Sequence, residues 1–454
     1  MKRIIVYSLL LLIPAAGIPL KAQEINMLYT LANTPQANNL NPARITDNAK
    51  VTVHLPLLSG LHFKLQNSFS FNHFVSIENK KAVFDFGQLQ KSMGPVSYLT
   101  ETMNLPLFEL QVRFGRNLIS TAVSEQQLFR FQFDRNLIQL INEGNESFID
   151  QPFSTHFDFN FLHYREYGLG YTRQIIPELS IGGRIKLLTG FAAADVQKMN
   201  IGLQTGRNLE YLTFSVDGAY NLSLPVDFQG ESPELSFDPA GYLTNFANTG
   251  VAFDLGASYQ PLPELELSAS VIDLGFINWK TNATRISHGG TFTWKGFNLN
   301  SFIDQPEAAE GQEVPDLNPI EQLMDSAMQL VDFRIEALTF TTGIPTKVFI
   351  SGEYHFHKVV SVALTDQILL YDRQISNALT LSGNLKLGDI WALSAGYSII
   401  DQSYNNLSLG TSLNMGPVGF YIVTSNILAL NIQQTSNFSL QFGLHFLFGK
   451  RISP

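Results

Sequence analysis

Apolar side chains occupy every second position in the last regular stretch of the chain, residues 437–448. They alternate with smaller or polar residues and are Leu440, Phe442, Leu444, Phe446 and Phe448. Successive side chains of a β-strand point to opposite faces, so the pattern predicts a strand with one bulky apolar face. That face meets either another sheet, in a soluble sandwich, or lipid, in a membrane barrel.

The same alternation recurs along the whole chain and predicts an all-β fold. Strict alternation over eight or more residues favours a strand over a helix. The pattern yields between twelve and seventeen strand candidates, with about fourteen as the working number, and the clearest span residues 61–72, 108–115, 178–188, 251–260, 264–271, 347–357, 379–388, 390–398 and 407–416. We therefore predict a transmembrane antiparallel β-barrel.

The connections between strand candidates fall into two classes. Several are short turns, such as the Gly-Asp pair at 388–389, and the long ones are predicted at 75–104, 134–153, 222–247 and 301–336. Short turns at one end and long loops at the other are typical of bacterial barrels. Helical spacing of apolar residues predicts two short loop or plug helices, at 134–148 and 318–333.

The N-terminus has the anatomy of a secretory signal peptide. Two basic residues precede an apolar run from Ile4 to Ile13 and a small-residue end at Ala22. This run is too short to span a bilayer as a helix. The sequence therefore predicts a signal peptide at 1–22, an N-terminal periplasmic segment at 23–50 and a barrel at 51–454, located in the outer membrane after cleavage.

Charge and cysteine content exclude several classes of protein. The chain has no cysteine, which removes disulfide scaffolds and thiolate metal sites. Loss of Lys2, Arg3 and Lys21 with the signal peptide changes the formal net charge from −10 to −13, which argues against nucleic acid as a partner.

The composition of the two strand faces favours lipid over water. Charged residues make up 15% of the chain, below the roughly 25% of soluble domains. The polar face is mostly Ser, Gly, Asn and Gln, whereas the apolar face is rich in aromatic residues, as in barrels with aromatic girdles. The predicted girdle residues are Trp279, Trp294, Trp391, Tyr171, Tyr259, Tyr371 and Tyr397. A secreted soluble β protein is the alternative.

Two segments resemble a known class of barrel. The sequence NNLNPARI at 38–45 and the Gly-rich strand pair at 167–190 are similar to FadL-like outer-membrane barrels. These include long-chain fatty-acid transporters and the PorV, PorQ and PorP/SprF-like proteins of type IX secretion and gliding. The chain looks nearest to an uncharacterised family of large signal-bearing barrels. The resemblance implies a fourteen-stranded barrel closed by an N-terminal hatch at 23–50, anchored by Asn41, Pro42 and Ala43. A simple turn into the first strand is the alternative.

Candidate chemistry is sparse. His355 and His357 share one strand face and could hold a metal, but beside Glu353 they are also consistent with a polar stripe lining the lumen. His62, Gln441 and His445 are predicted to line the lumen as well. No Gly-x-Ser-x-Gly elbow and no phosphate-binding loop is present. We predict no enzyme activity, no cofactor and no metal.

Two functions fit this pattern. The first is a FadL-like channel for uptake or export of hydrophobic small molecules, with a hatch in the lumen and lateral release of ligand into lipid. The second is an accessory or anchor barrel of a type IX-like secretion or surface-assembly machine, which would bind a protein partner through residues 301–336. The predicted partners are outer-membrane lipids, a hydrophobic ligand or a secretion protein, and not nucleic acid.

Overall fold

A computed structural model gives the fold of the chain. It describes residues 26–45, 49–55, 60–69, 74–78, 81–207, 211–224, 226–227, 234–235, 242, 244–294, 332–400, 403–427 and 437–449. The predicted signal peptide at 1–22 lies outside these residues. No helix within the described ranges is long and apolar enough to cross a membrane.

Strands dominate the described residues. Their bounds are β1 Val51–His54, β2 Leu61–Asn67, β3 Val75–Glu78, β4 Lys81–Phe84, β5 Val96–Phe114, β6 Asn117–Asp134, β7 Phe153–Ile176, β8 Leu179–Thr205, β9 Leu212–Ser223, β10 Val226–Asp227, β11 Glu234–Leu235, β12 Asn248–Leu262, β13 Leu265–Trp279, β14 Ala283–Trp294, β15 Asp332–Ala337, β16 Phe340–Gly343, β17 Thr346–His357, β18 Val360–Tyr371, β19 Gln374–Leu387, β20 Trp391–Ile400, β21 Ser403–Met415, β22 Val418–Thr424 and β23 Asn437–Phe448. The helices are α1 Asn26–Thr30, α2 Phe86–Ser92 and α3 Arg135–Glu143, with 3₁₀ turns at Pro35–Asn39 and Glu146–Phe148.

The main sheet closes on itself as an antiparallel barrel. β1 and β2 form one interrupted strand, because both pair with β23 on one side and with β5 on the other. From β5 the circuit runs through β6, β7, β8, β12, β13, β17, β18, β19, β20, β21, β22 and β23 back to the start. The predicted closed barrel is confirmed.

Extra strands widen one end of the barrel. β8 pairs with β12 up to Gly190 and with β9 from Ala193 onward, and β9 continues to β14 and β15. The circuit described above has fourteen positions within the described residues, as predicted, and the ring counts about sixteen strands with these additions. β5 to β8 are 18 to 27 residues long and exceed the ~9–11 residues that cross a bilayer.

Tight turns mark one end of the barrel, called here the short-turn end. They lie at 115–116, 177–178, 263–264, 358–359, 388–390 and 416–417. The long connections are at the opposite end, called here the long-loop end, where α2 and α3 pack on each other. This end also has one two-residue turn, at 372–373. The helix predicted at 134–148 is present as α3, which Asp134 caps by accepting from the Leu137 amide. Of the helix predicted at 318–333, residues 318–331 lie outside the described ranges, and 332–333 begin β15 instead.

The barrel wall separates an apolar outer face from a polar inner face. On β23 the Leu/Phe series lies on the outer face, whereas Ser439 and His445 are buried inside. Exposed apolar side chains form a belt around the wall, including Leu169, Ile185, Leu255, Leu274, Ile350, Leu364, Leu381, Leu407 and Ile422. A soluble protein rarely exposes a continuous surface of this kind, and a closed sheet satisfies its backbone in lipid, so the belt is the membrane-facing surface.

The predicted aromatic girdle is right in part. Trp391, Tyr171, Tyr259 and Tyr397 are exposed on the outer face, and Trp294 is partly buried. Trp279 and Tyr371 are inside, in one apolar cluster. The prediction for Trp279 was wrong because a bulge at Asp273, which adopts φ 62°, reverses the in–out parity of β13.

Two exposed isoleucines allow a test of the membrane face. Ile350 lies within the belt on β17, and Ile390 lies in a tight turn at the short-turn end. We expect Ile350→Arg to lower the free energy of unfolding in lipid by about 2–4 kcal/mol, and Ile390→Arg by about 1 kcal/mol or less, because the cost of a charge rises toward the bilayer midplane. Urea unfolding in lipid vesicles measures both. Equal small effects would show that the belt faces water.

Candidate functional site

The N-terminal segment, residues 26–44, lies inside the barrel at the short-turn end. Three apolar residues of this segment are at most 1% exposed and pack against inward side chains of β20 and β22: Met27, Leu28 and Leu31 contact Ala392, Tyr421 and Val423. The 3₁₀ turn that follows is also buried. The segment predicted as a hatch therefore lies across the mouth of the lumen in this structure.

Asn41, Pro42 and Ala43 form the most constrained part of the segment. The Asn41 side-chain oxygen accepts from the Ala43 amide at 2.9 Å, which fixes the turn, and its Nδ2 donates to the Tyr29 hydroxyl at 2.9 Å. The Pro42 carbonyl accepts from Thr172 Oγ1 on β7. The turn is thus tied both to its own segment and to the wall.

Two inward glycines make room for this turn. A Cβ at Gly182 on β8 would lie 2.1 Å from the Pro42 oxygen, and a Cβ at Gly256 on β12 would lie 2.1 Å from Asn41 Oδ1. Neither position accepts a larger residue without movement of the segment. Gly182 and Gly256, called here the glycine seat, therefore leave the space that the N-terminal turn occupies.

Tyr29 anchors the segment to the far wall. Its ring stacks on Phe349 of β17, with centroids 5.0 Å apart and planes 19° apart. Burial raises the pKa of the Tyr29 hydroxyl, while hydrogen bonds from Ser268, Ser270 and Asn41 oppose the rise. The hydroxyl therefore stays protonated at neutral pH.

Buried polar contacts tie the rest of the segment to the barrel. His445 contacts Gln36 at 3.3 Å through Nδ1 and Asn414 Oδ1 at 2.9 Å through Nε2. Glu109 of β5 accepts from Asn39 Nδ2 at 3.1 Å and contacts His54 Nδ1 at 2.8 Å. Gln36 and Asn39 of the segment thus contact inward wall residues that are themselves paired with other residues of the wall.

Next to the segment, on the side away from the short-turn end, lies a charged layer made of three cationic and three anionic side chains. These are Arg184, Lys186 and Lys347 with Glu166, Asp254 and Asp273. Lys186 Nζ contacts Asp273 and lies 3.2 Å from Asp254 Oδ2 and 3.4 Å from Glu166 Oε2. Buried charges are stable only when paired and hydrogen-bonded, and these groups balance one another.

Arg184 connects the charged layer to the N-terminal segment. Its Nη1 donates to Asp254 Oδ2 at 3.2 Å, and its Nη2 donates to Asn38 Oδ1 at 2.9 Å. The Asp273 amide donates to Asp254 Oδ1 at 2.8 Å, so the bulge in β13 also holds the layer together. Displacement of the segment would leave the Arg184 guanidinium without its two acceptors on Asn38, the side-chain oxygen and the backbone carbonyl.

An apolar layer follows the charged layer toward the long-loop end. Its buried residues include Leu128, Leu162, Tyr164, Leu188, Ile277, Trp279 and Ile344, with Phe340 and Tyr371 packed against them. The inward residues of β8 pass through the three levels of the lumen in sequence order. Gly182 faces the segment, Arg184 and Lys186 belong to the charged layer, and Leu188 belongs to the apolar layer. Trp279 fills the space over Gly190, where a Cβ would lie 2.5 Å from its ring.

Two small cavities lie between these layers. One of about 70 Å³ lies beside Leu128 and Tyr164, and one of about 100 Å³ is lined by residues that include His62 and Gln441. Ligand sites are usually ~300–1,000 Å³, so neither of these two cavities is large enough for one. A cavity of about 490 Å³, lined by residues that include Leu162, Ile344 and Tyr371, lies beside the apolar layer. His355 and His357 line another cavity, about 430 Å³, at the short-turn mouth.

Sequence reasoning missed most of this arrangement. Asp254 and Asp273 lie on strands with only a few charges, and an isolated Asp among apolar residues was the available signal. Glu109 and Lys186 fall on polar strand positions, but nothing in the sequence shows which strands face one another. Gln441, His62 and His445 are on the inner face, next to residues that the sequence did not associate with them.

The chain belongs to a family of unknown function, DUF5723, which matches residues 42–425. This agrees with the predicted kinship to an uncharacterised family, while the likeness to PorV, PorQ and PorP/SprF stays a prediction. Among curated proteins, none matches the chain.

Several solved barrels are similar over nearly the whole chain. The toluene transporter TbuX of Ralstonia pickettii has 9% identity and a TM-score of 0.39, covering 94% of this chain and 95% of its own. A Pseudomonas aeruginosa FadL homologue has 10% identity and a TM-score of 0.37, covering 94% and 98%. The Pseudomonas putida toluene transporter TodX has 8% identity and a TM-score of 0.38, covering 94% and 95%. Likeness at this level assigns no function to the chain.

A matched pair of glycine variants tests the seat of the N-terminal segment. Gly182→Ala should push the Pro42 carbonyl away, whereas a Cβ at the next residue, Gly183, meets only ordinary contacts of at least 3.5 Å. Because the chain has no cysteine, Ala43→Cys supplies a single buried thiol. We expect Gly182→Ala to speed maleimide labelling of this thiol by about tenfold. This rate change corresponds to a decrease of ~1.4 kcal/mol in the free energy of local opening of the segment. Equal rates in the Gly182→Ala and Gly183→Ala backgrounds would contradict the seat.

Removal of one carboxylate tests the charged layer. Asp273→Asn leaves Lys186 and Lys347 without their shared anionic partner. We expect a loss of about 3–5 kcal/mol in the free energy of unfolding, since breaking a buried pair leaves an uncompensated charge. Asp217→Asn, at an exposed position on β9, should cost about 0.5 kcal/mol or less. Urea titration in lipid vesicles compares the two, and equal losses would argue that the layer is solvated.

Proposed function

We propose that the protein is an outer-membrane channel for hydrophobic small molecules, with the N-terminal segment as the closure of its periplasmic mouth. The short-turn end faces the periplasm, as is usual for bacterial barrels. The segment of 26–44 enters the lumen from that side. The belt of exposed apolar residues supports the membrane location.

The observation that carries the proposed substrate class is the apolar layer inside the lumen. Channels for polar solutes have polar, water-filled interiors. Here the middle of the lumen is instead lined by large apolar side chains, with Trp279 and Ile277 fully buried. An apolar molecule displaces no hydrogen-bonded water in such a layer, whereas a polar one loses its hydration without replacement.

The charged layer favours a lateral route for release. A hydrophobic molecule moving from the apolar layer toward the mouth would have to pass between paired buried charges. The wall at the level of the apolar layer offers a different route, because β8 changes its partner there from β12 to β9. Asn248 holds this junction: its Nδ2 donates to Ser223 Oγ at 3.3 Å and its Oδ1 accepts from the Lys280 amide at 2.8 Å. Opening at this junction would connect the apolar layer with lipid.

The accessory-barrel hypothesis stays a prediction. Its working surface at 301–336 lies mostly outside the described residues, and no described contact favours a protein partner over a small ligand.

A pair of tryptophan variants tests the channel in cells. We expect Trp279→Ala to speed entry of the apolar fluorophore N-phenyl-1-naphthylamine into intact cells of an outer-membrane host by about tenfold, since removal of the ring opens the apolar layer. Trp391→Ala, which removes an exposed outer tryptophan, should match the wild type. For this comparison each variant must be present in an equal amount of folded protein, measured on a gel as the band whose mobility shifts on boiling. Equal entry for both variants and for cells without the barrel would reject the channel.

A further inference from the structure

The mouth cavity, which lies at the short-turn end beside the N-terminal segment, contains chemistry that the channel does not use. Asn33 and Arg44 of the segment line one side of it, and the ends of β13 and β17 line the other. Its volume is about 430 Å³. The cavity adjoins the tight turn at 358–359, so it is accessible from the periplasmic side.

Three potential metal ligands meet in this cavity. Glu266, Glu353 and His355 each offer one ligand atom, and these three atoms all lie within 4.8 Å of one another. Glu266 and Glu353 are direct cross-strand partners on β13 and β17. His355 follows Glu353 by two residues on β17 and therefore shares its face.

Neighbouring side chains orient both carboxylates. Ser258 Oγ donates to Glu266 Oε1 at 2.7 Å, and Ser361 Oγ donates to Glu353 Oε1 at 2.5 Å. Asn384 Nδ2 lies 3.4 Å from the same Glu353 oxygen. These hydrogen bonds involve Oε1 of each carboxylate and leave Oε2 for a cation. Metal-binding carboxylates commonly have hydrogen-bonded support of this kind.

The charges of the cluster also favour a cation. Like charges on directly opposite residues of neighbouring strands destabilise a sheet. A divalent cation between Glu266 and Glu353 would turn this repulsion into two attractions. One imidazole nitrogen and two carboxylate oxygens suit Zn²⁺, with its fourth position open to water in the cavity. We propose that Glu266, Glu353 and His355 form a Zn²⁺-binding site at the periplasmic mouth.

The site differs from the pairing that the sequence suggested. The sequence pattern suggested His355 and His357 as the pair, but β17 is irregular between these two residues, and the structure places Glu266 of a neighbouring strand beside His355. His357→Asn therefore serves as a matched control for His355→Asn. Glu178→Gln, which changes another acid of the same cavity, is a control for Glu266→Gln and Glu353→Gln.

The test is titration of the refolded mature barrel, free of a histidine tag and treated with chelator, with ZnCl₂ by calorimetry and with Co²⁺ by visible absorption. We expect saturable binding of one ion per chain that His355→Asn, Glu266→Gln and Glu353→Gln abolish. His357→Asn and Glu178→Gln should retain it. Ser258→Ala should weaken Zn²⁺ binding by about 10-fold or more, because it frees the Glu266 carboxylate to rotate.

Two results would overturn the proposal: absence of saturable binding to the wild type, or binding by His355→Asn equal to that of the wild type. All variants must first show the heat-shifted band of a folded barrel. The proposed channel does not depend on this site, since the fluorophore assay concerns the apolar layer at the other side of the charged layer.

Discussion

Pairing of β23 with β1 and β2 closes the sheet, and the rest of the structure depends on this closure. A wall in lipid has no water for its backbone groups, so each strand needs a partner on both sides. Closure also defines an inside. Once the Leu and Phe residues of β23 face lipid, His445 and Ser439 must face a lumen. Polar residues confined to the lumen have to form hydrogen bonds with one another or with the N-terminal segment.

The N-terminal segment and the charged layer solve this problem together. The segment supplies carbonyl and amide groups to inward side chains, as in the contact of Thr172 with Pro42 and of Arg184 with Asn38. The bulge at Asp273 turns one more carboxylate toward Lys186 and moves Trp279 inside. A single irregular residue thus contributes to both the charged layer and the apolar layer. These contacts fill the lumen between the mouth and the apolar layer, and Arg184 joins the segment to the charged layer.

The sequence predicted well which residues face outward from the barrel wall, and poorly which residues contact one another in the lumen. Alternation on the outer face is a local property, since lipid imposes the same demand on every strand, and the tight turns at 388–390 and 416–417 follow from local chemistry. Contacts across the lumen join residues far apart in the chain, such as Asn414 with Asn33. No periodicity encodes which of the inward residues meet. The Asp273 bulge reverses a strand's parity, so the rule that worked elsewhere gave the wrong side for Trp279.

The turn at Asn41-Pro42-Ala43 was predicted through a resemblance to other barrels. By itself the sequence determined the fold class and the side of each regular strand that faces lipid. These follow from residue type and spacing of two, which act within a few residues. Only the tertiary structure decided that this turn rests on Gly182 and Gly256, that three cations meet three acids above it, and that His355 faces Glu266 instead of pairing with His357. These contacts depend on strand order and register around a closed ring, which are set by the whole barrel at once.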